Sequence, residues 1–592
     1  MTLRSPCTRW LAFFALFSSA ALAASPGGVV AVSHPAAAAA GARMLAAGGN
    51  AVDAAAAVQF ALNVVEPQSS GIGGGGFMMV YLAKTGETFI VDSRERAPAK
   101  ADADMFAPDG RAMPFPLAST SGVAVGVPGT LRGIDAALKR WGTKKLADTL
   151  LPAIELAERG FRVNRFLAQD IVNDSGRTQL YPETAAIFRP GGVPLAEGDW
   201  LVQRELAKTL KRIAAEGPDA FYRGAIARAI VKAQRRTRSE LGAAGQGRMT
   251  LADLARYRVA IRKPLMGQYR GWTLATMPPP SSGGLTMLQM LGMLERVPLG
   301  DASQGYGFGS PNTLHAMTEA MRLAFADRAQ WIGDDDAVPV PSAGLLHPDY
   351  LAMRSGLIRA DGRMETPQAG DPRPRDEAPS RMPAESPQTT HFAIVDRWGN
   401  VVSHTSTIEF TWGSGITVPG YGFLLNNELT DFNFVAGFDA AAGKPGANDV
   451  SPGKRPRSSM APTLLFRNGK PVAAYGSPGG ATIINSVFNV TLNLIDHGMT
   501  MQQAIDAPRL SVTHAAGRIG CEGGSAFMQP RISIAAQDTL RALGHAGLGA
   551  AGTDGCQDTI GSVQAVVIDP ETGLHHGAAD PRREGTVIRV KP

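Results

Sequence analysis

The chain has 592 residues, 44% of them hydrophobic and 19% charged, which describes an ordinary soluble globular protein with length for about three or four domains and an ample core. Its 58 basic and 52 acidic residues leave a mild excess of +6 that is spread out. The densest basic run, Lys232–Arg238, has no interleaved aromatics and reads as a solvated helix face, which argues against nucleic acid as a partner. The 68 glycines and 41 prolines point to many turns and shaped loops without low complexity.

At the N-terminus, Arg4 and Arg9 precede an apolar run, Trp10–Phe17, and small residues ending in Ala21-Leu22-Ala23. This is the pattern of a secretory signal peptide over residues 1–23. No later stretch reaches the roughly 20 apolar residues that cross a bilayer. The mature chain is therefore expected to be exported and soluble, periplasmic or secreted. Cys7 leaves with the signal, so Cys521 and Cys556 remain. An oxidising compartment permits their pairing, which the spacing alone leaves open, and two such cysteines make no metal signature.

A helix is expected from Ser33 to Gly48-Gly49, with Pro35 in its first turn, and a second from Ala51 to Val64, stopped before Pro67. Strands follow at Phe77–Leu82 and Thr88–Asp92. The region from Gly126 to Ala329 reads as mostly helical. Residues 370–387 carry five prolines among charged residues and read as an extended linker. Beyond it the pattern becomes β-rich, and strands at both ends with helices between imply a layered α+β architecture.

Gly71-Ile-Gly-Gly-Gly-Gly76 matches G-x-G-x-x-G, but a helix precedes it and a strand follows, the reverse of a dinucleotide site. Close backbone packing explains it better. His391 and His404 come with no recognisable nucleophile turn and read as locally satisfied strand residues.

The strand Thr390–Val395, a turn at Arg397–Asn400 and the strand Val401–Ile408 form a hairpin. A three-residue loop sets Thr389 opposite Thr407; loops one residue shorter or longer shift this by one. Alternation puts Thr405, Thr407 and Glu409 on one face. A threonine hydroxyl needs an adjacent base to act as a nucleophile, and an N-terminal threonine carries one in its own α-amine. Cleavage between Gln388 and Thr389, behind the linker, would create it.

The sequence resembles the γ-glutamyltransferases (γ-glutamyltranspeptidases) of the N-terminal-nucleophile hydrolase superfamily over essentially the whole mature chain. The resemblance rests on Ser70–Phe77, Asp92-Ser-Arg-Glu-Arg-Ala-Pro98, Pro278-Pro-Pro-Ser-Ser-Gly-Gly284, Gln388-Thr-Thr-His391 and Leu424–Phe432. Lys454–Met460, Gly476-Ser-Pro-Gly-Gly480 and Ala579-Asp-Pro-Arg582 complete it. It implies a four-layer αββα sandwich made as one precursor and matured to a large subunit, 24–388, and a small one, 389–592. Thr389 would be the nucleophile of both self-cleavage and catalysis, with Thr407 tuning it. Arg94, Ser458 and Ser459 would bind the substrate α-carboxylate. Glu409, Glu428 and Asp431 would surround its α-ammonium, and Gly479 and Gly480 would offer the oxyanion hole. The implied substrates are glutathione and other γ-glutamyl compounds, with water, amino acids or peptides as acceptors and with no metal or organic cofactor.

Position 409 carries Glu where many members carry Asn. The segment after Asp431, Phe434-Val-Ala-Gly-Phe-Asp-Ala-Ala-Ala-Gly, does not match the tyrosine-bearing lid of familiar members. The alternatives are a glutaryl (cephalosporin-type) acylase of the same architecture, which has no ammonium to bind, and a non-catalytic periplasmic binder, against which the Gln388–Thr389 junction argues.

Overall fold

His34 opens the first helix, α1 (Pro35–Ala46), by accepting the Ala36 N–H on its ring. Gly48, at φ +76°, and Gly49 turn the chain into α2 (Ala51–Val65), which begins with a capping box of Asn50 and Asp53. α2 is buried on every side, as its alanine-rich sequence without a polar face requires. The computed structural model describes residues 27–372, 389–437, 446–522 and 531–591. The segment expected to be a signal peptide (1–23), the expected linker beyond Pro372, and Gln388 lie outside the described residues.

Thirteen strands build two sheets. They are β1 (Val29–Val32), β2 (Gly75–Leu82), β3 (Glu87–Asp92), β4 (Ala260–Arg262), β5 (Leu265–Tyr269), β6 (Trp272–Thr276), β7 (Thr390–Val395), β8 (Val401–Thr407), β9 (Thr463–Arg467), β10 (Lys470–Gly476), β11 (Gln564–Ile568), β12 (His575–Ala579) and β13 (Thr586–Arg589). The first sheet runs β13-β1-β7-β8-β2-β3-β4 and the second β12-β11-β10-β9-β6-β5. Every pairing within them is antiparallel.

Side chains alternate across the first sheet and so feed two cores. Val30, Val32, Phe392, Ile394 and Val402 pack with α1, α2 and α3 (Leu146–Arg159). Val29, Ala31, Ala393, Val395 and Val401 join the second sheet and the helices α4 (Gly283–Leu294), α5 (Pro311–Trp331) and α6 (Thr482–Ile495). The result is the expected α+β sandwich of four layers, helix, sheet, sheet, helix. The region expected to be mostly helical also carries β4, β5 and β6, so both sheets draw strands from it. These strands are short, and Lys263-Pro264 and Arg270-Gly271 interrupt their pattern. Among the described residues no helix is long and apolar enough to cross a membrane. Cys521 and Cys556 form a disulfide, with Cα atoms 4.7 Å apart.

Candidate active site

The site is organised by the β7–β8 hairpin. Asp396 N–H donates to the Asn400 carbonyl, and Gly399, at φ +82°, closes a three-residue loop between them. The ladder pairs Thr390 with Ser406, so the next position sets Thr389 opposite Thr407. Their hydroxyls are 3.5 Å apart. Thr389 has the parity of Ala393 and Val395, the residues facing the second sheet, and lies buried between the sheets. Thr390 faces the other way and donates to Glu66 Oε2 at 2.9 Å, a structural bond.

The face that carries Thr389 and Thr407 also carries His391, whose Nδ1 is 2.8 Å from Thr405 Oγ1. His391 is only half satisfied. Its Nε2, like His404 Nδ1, is buried without a hydrogen-bond partner, and burial pushes both rings well below the usual histidine range. They are neutral. A Cβ at Gly476 would lie 2.5 Å from the His391 ring, so this glycine lets the two sheets meet at that point.

β8 ends at Thr407, one residue earlier than its sequence suggested, because the chain turns out of the strand and places Glu409 at φ +76°. A non-glycine residue in the left-handed region is strained and needs support. Thr407 Oγ1 accepts the Glu409 N–H at 2.9 Å, and Asn427 Nδ2 donates to its carboxylate. Glu409 therefore reaches the cleft through a backbone turn and not through strand alternation. Burial, followed by the nearby charge of Asp431, holds its carboxyl well above the usual range.

Glu428 and Asp431 span one turn of 3₁₀ helix, in which residues three apart eclipse one another. Asn426 starts this turn by accepting the Glu428 N–H at 3.0 Å. Both carboxylates meet Arg94, one on each terminal nitrogen. The Arg94 backbone is pinned by Asp92 Oδ1 (3.0 Å) and by the Tyr257 hydroxyl (2.8 Å), and its side chain also donates to the carbonyls of Pro456 and Arg457.

Ser458 and Ser459 are held from behind. Ser282 donates to the Ser458 carbonyl through both its N–H and its hydroxyl, and Arg328 donates to Ser459 Oγ at 2.9 Å. The Pro278–Gly284 block is thus scaffolding for the two serines. Gly479 (φ +134°) and Gly480 (φ +53°) precede α6 in backbone conformations that favour glycine. Among the described residues neither of their N–H groups donates to another protein group.

Arg94, Thr389, Thr407, Glu409, Glu428, Asp431, Ser458, Ser459 and Gly480 line one cleft enclosing about 280 Å³. All the anticipated residues are brought together there except Gly479, which precedes Gly480 in the chain but is not part of this lining, and Gln388, which is outside the described residues. The glycines at 73 and 74 serve close packing: a Cβ on either would lie 2.1 Å from a backbone carbonyl, that of Leu424 or Thr407. Of the segment compared with a lid, residues 438–443 are outside the described set.

The sequence profile of the family described as gamma-glutamyltranspeptidase matches residues 37–590. The chain belongs to the γ-glutamyltranspeptidase family. Its relatives include the "glutathione hydrolase proenzyme" of Bacillus subtilis strain 168, 46% identical over 550 residues, 91% of this chain and 87% of that protein. The "Acylase ACY 1 proenzyme" of Pseudomonas sp. strain SE83 is 38% identical over 91% of this chain and 89% of its own. The crystal structure of cephalosporin acylase from Bacillus halodurans superposes with a TM-score of 0.80 at 29% identity, covering 99% of this chain and 98% of that one.

Four residues of this γ-glutamyltranspeptidase were not anticipated from sequence. Arg328 and Asn427 support Ser459 and Glu409 as described above. Arg583 NH1 donates to the Thr389 carbonyl at 3.0 Å from 194 residues away. Glu95, beside Arg94, is fully buried with no hydrogen-bond partner on either oxygen. Glu95 and Arg583 stand inside the quoted family block or next to it, which was the available signal; Arg328 had none.

Proposed function

We propose that this enzyme is a self-processing γ-glutamyltransferase and glutathione hydrolase in which Thr389 carries the γ-glutamyl group as an ester. The observation that carries the reading is the Arg94–Glu428–Asp431 ion cluster sharing a cleft with the Thr389 hydroxyl. A buried guanidinium held against two carboxylates presents both signs of charge, as a zwitterion does in reverse. An α-amino-acid head group offers its carboxylate to Arg94, Ser458 and Ser459 and its ammonium to Glu428, Asp431 and Glu409. That leaves the far end of a glutamyl chain directed at Thr389.

In maturation, Thr389 Oγ attacks the Gln388 carbonyl carbon, the peptide nitrogen leaves as the new α-amine, and water hydrolyses the resulting ester. In catalysis the α-amine takes the hydroxyl proton as Oγ attacks the γ-carbonyl, and it passes that proton to the departing amine nitrogen. The oxyanion is met by the N–H groups of Gly479 and Gly480, fixed in direction before the charge develops. Water or an acceptor amine then cleaves the ester.

A glutaryl group, in contrast, has no ammonium to place against Glu409, Glu428 and Asp431, although a glutaryl acylase shares the architecture. Hydrolysis of γ-glutamyl and glutaryl anilides compared side by side distinguishes the two. The primary test is Thr389→Ala. A single uncleaved chain without γ-glutamyl anilide hydrolysis is expected, and two subunits on a denaturing gel of that variant would overturn the mechanism. The wild-type small fragment is expected to begin at Thr389 by mass spectrometry.

A further inference from the structure

Among the described residues, the non-glycine positions with positive φ are Arg270, Glu409, Trp412 and Asn468. Two of these, Glu409 (+76°) and Trp412 (+69°), stand in one turn next to Thr407, and Gly413 (+55°) and Gly415 (+73°) share it. A turn of this kind persists only where its surroundings hold it. Trp412 is fully buried; its backbone N–H donates to the Gln68 carbonyl at 2.9 Å and its indole nitrogen to the Asp170 carbonyl at 3.2 Å.

A further anchor is Arg177, from the short helix Ser175–Thr178. It is buried and meets the turn at two points. Its Nη1 donates to the Gly413 carbonyl, and its guanidinium carbon lies 4.2 Å from the centre of the Phe410 ring, a cation–π contact. Ser119 holds the guanidinium in place, accepting Nη1 on its carbonyl at 3.3 Å and Nη2 on its hydroxyl at 2.8 Å, and Asp174 Oδ2 is 3.5 Å from Nε. Arg177 does not line the cleft, and it shares no hydrogen bond or ion pair with Glu409. Its charge still reaches that carboxyl. Burial is the main obstacle to ionising Glu409 and the Asp431 charge adds to it, whereas the Arg177 charge acts in the opposite direction. The other cation of the cleft, Arg94, is already held by Glu428 and Asp431.

We propose that Arg177 is a positioning residue for recognition of the substrate's α-ammonium: it anchors the 409–415 turn that carries Glu409 into the cleft, and its charge favours the ionised, ammonium-binding form of that carboxyl. The inference rests on the γ-glutamyltransferase reading above. Binding moves one proton, which Glu409 releases to solvent as the ammonium docks; Arg177 keeps its own, as an arginine does throughout the working range. A nearby opposite charge moves a carboxyl by about one pH unit or more, which below its midpoint is about tenfold in the ionised fraction.

The test measures kcat and KM for γ-glutamyl p-nitroanilide hydrolysis between pH 6 and pH 8.5, using processed wild type, Arg177→Gln and Arg177→Lys. Arg177→Gln is expected to raise KM about tenfold at pH 7 with kcat within about twofold, and to move the pH dependence of KM upward by about one unit. Arg177→Lys, which keeps the charge and loses the planar contacts, is expected to raise KM less and to leave that pH dependence where it is. In a Glu409→Gln background, Arg177→Gln is expected to change KM by no more than about twofold, because its effect passes through Glu409. A merely structural arginine would lower kcat, or raise KM equally in both backgrounds, with no shift in pH dependence; either result, or an unchanged KM in Arg177→Gln, would overturn the proposal. If Arg177→Gln is not processed to two chains, Arg177→Lys decides: a raised KM with the wild-type pH dependence supports the proposal, and an unchanged KM or a fall in kcat alone overturns it. A wild type that releases no p-nitroaniline overturns the γ-glutamyltransferase reading itself, a result distinct from all of these.

Discussion

Glu95 gives a prediction about stability that needs no substrate. Its carboxyl is fully buried, and a Cβ on Gly75 would lie 2.4 Å from its Oε2, so no other side chain reaches it from that side. Burial pushes the group up to about 8 from 4.5, against the opposing charge of Arg94. The unfolded chain releases this proton near pH 4.5, while the folded chain keeps it until about pH 8. Across that window the unfolded state binds fewer protons, so the residue's contribution to stability is complete below pH 4.5 and declines as pH rises through 8. At about 1.36 kcal/mol per pH unit the decline totals about 5 kcal/mol. Glu95→Gln keeps the shape of the neutral acid and sacrifices no hydrogen bond, because neither oxygen makes one. With about 2.1 cal/mol/K of unfolding entropy per residue, 5 kcal/mol corresponds to roughly 4 °C in a chain of this size. The assay is the thermal midpoint of Thr389→Ala with and without Glu95→Gln, at pH 5 and pH 8.5, so that both proteins remain single chains. Nearly equal midpoints are expected at pH 5, and a glutamine variant a few degrees more stable at pH 8.5. A gap of the same size at both pH values would refute the reasoning.

Gly480→Ala forces a residue with a Cβ to φ +53° beside the reacting carbonyl. The alanine keeps its N–H but shifts it from its direction, so a loss in kcat for γ-glutamyl anilide hydrolysis is expected, bounded by the roughly 10²–10³ for removing one oxyanion donor outright. Thr407→Val keeps the shape of Thr407 but leaves the buried Glu409 N–H without its acceptor, which costs about 1–3 kcal/mol, and removes the hydroxyl beside Thr389. Steady-state kinetics are expected to show kcat/KM lower by roughly tenfold to a hundredfold, with Thr407→Ser recovering most of the loss. A valine variant with unchanged kcat/KM would show that Thr407 does not support the site.

The pairing of Thr389 with Thr407 was legible because it depends on short-range rules. A hairpin loop of two to four residues brings Thr389 to the neighbourhood of Thr407 with no knowledge of the rest of the chain, and the three-residue loop closed by Gly399 makes the register exact. Strand alternation separated Thr389 from Thr390. What was not legible depends on tertiary contact. Strand periodicity predicted that Glu409 shares a face with Thr407; it does reach the same cleft, but by leaving the strand, which Asn427 and the Thr407 hydroxyl make tolerable. Strands β4 to β6 are too short and too often interrupted to outweigh the helical segments around them. Arg328 and Arg583 act on Ser459 and Thr389 across more than a hundred residues of chain; Arg583 adjoins the Ala579–Arg582 block, but nothing local marks Arg328.

The departure at position 409 follows from the same electrostatics. An asparagine there would be neutral at every pH and would offer a carbonyl oxygen to an ammonium. Glu409 begins in a similar state, because burial and the Asp431 charge keep its carboxyl protonated well above the usual range. Arg94 already answers Glu428 and Asp431, and the charge of Arg177, which favours an ionised Glu409, is outweighed by burial and by Asp431, so ionisation calls for a further cation. In the proposed site a substrate ammonium supplies that cation and favours the ionised form of Glu409. Binding then releases a proton that an asparagine could not release. Glutamate thus resembles asparagine more before the head group enters than after it, when an ionised carboxylate would hold the ammonium more strongly and make the grip depend on pH.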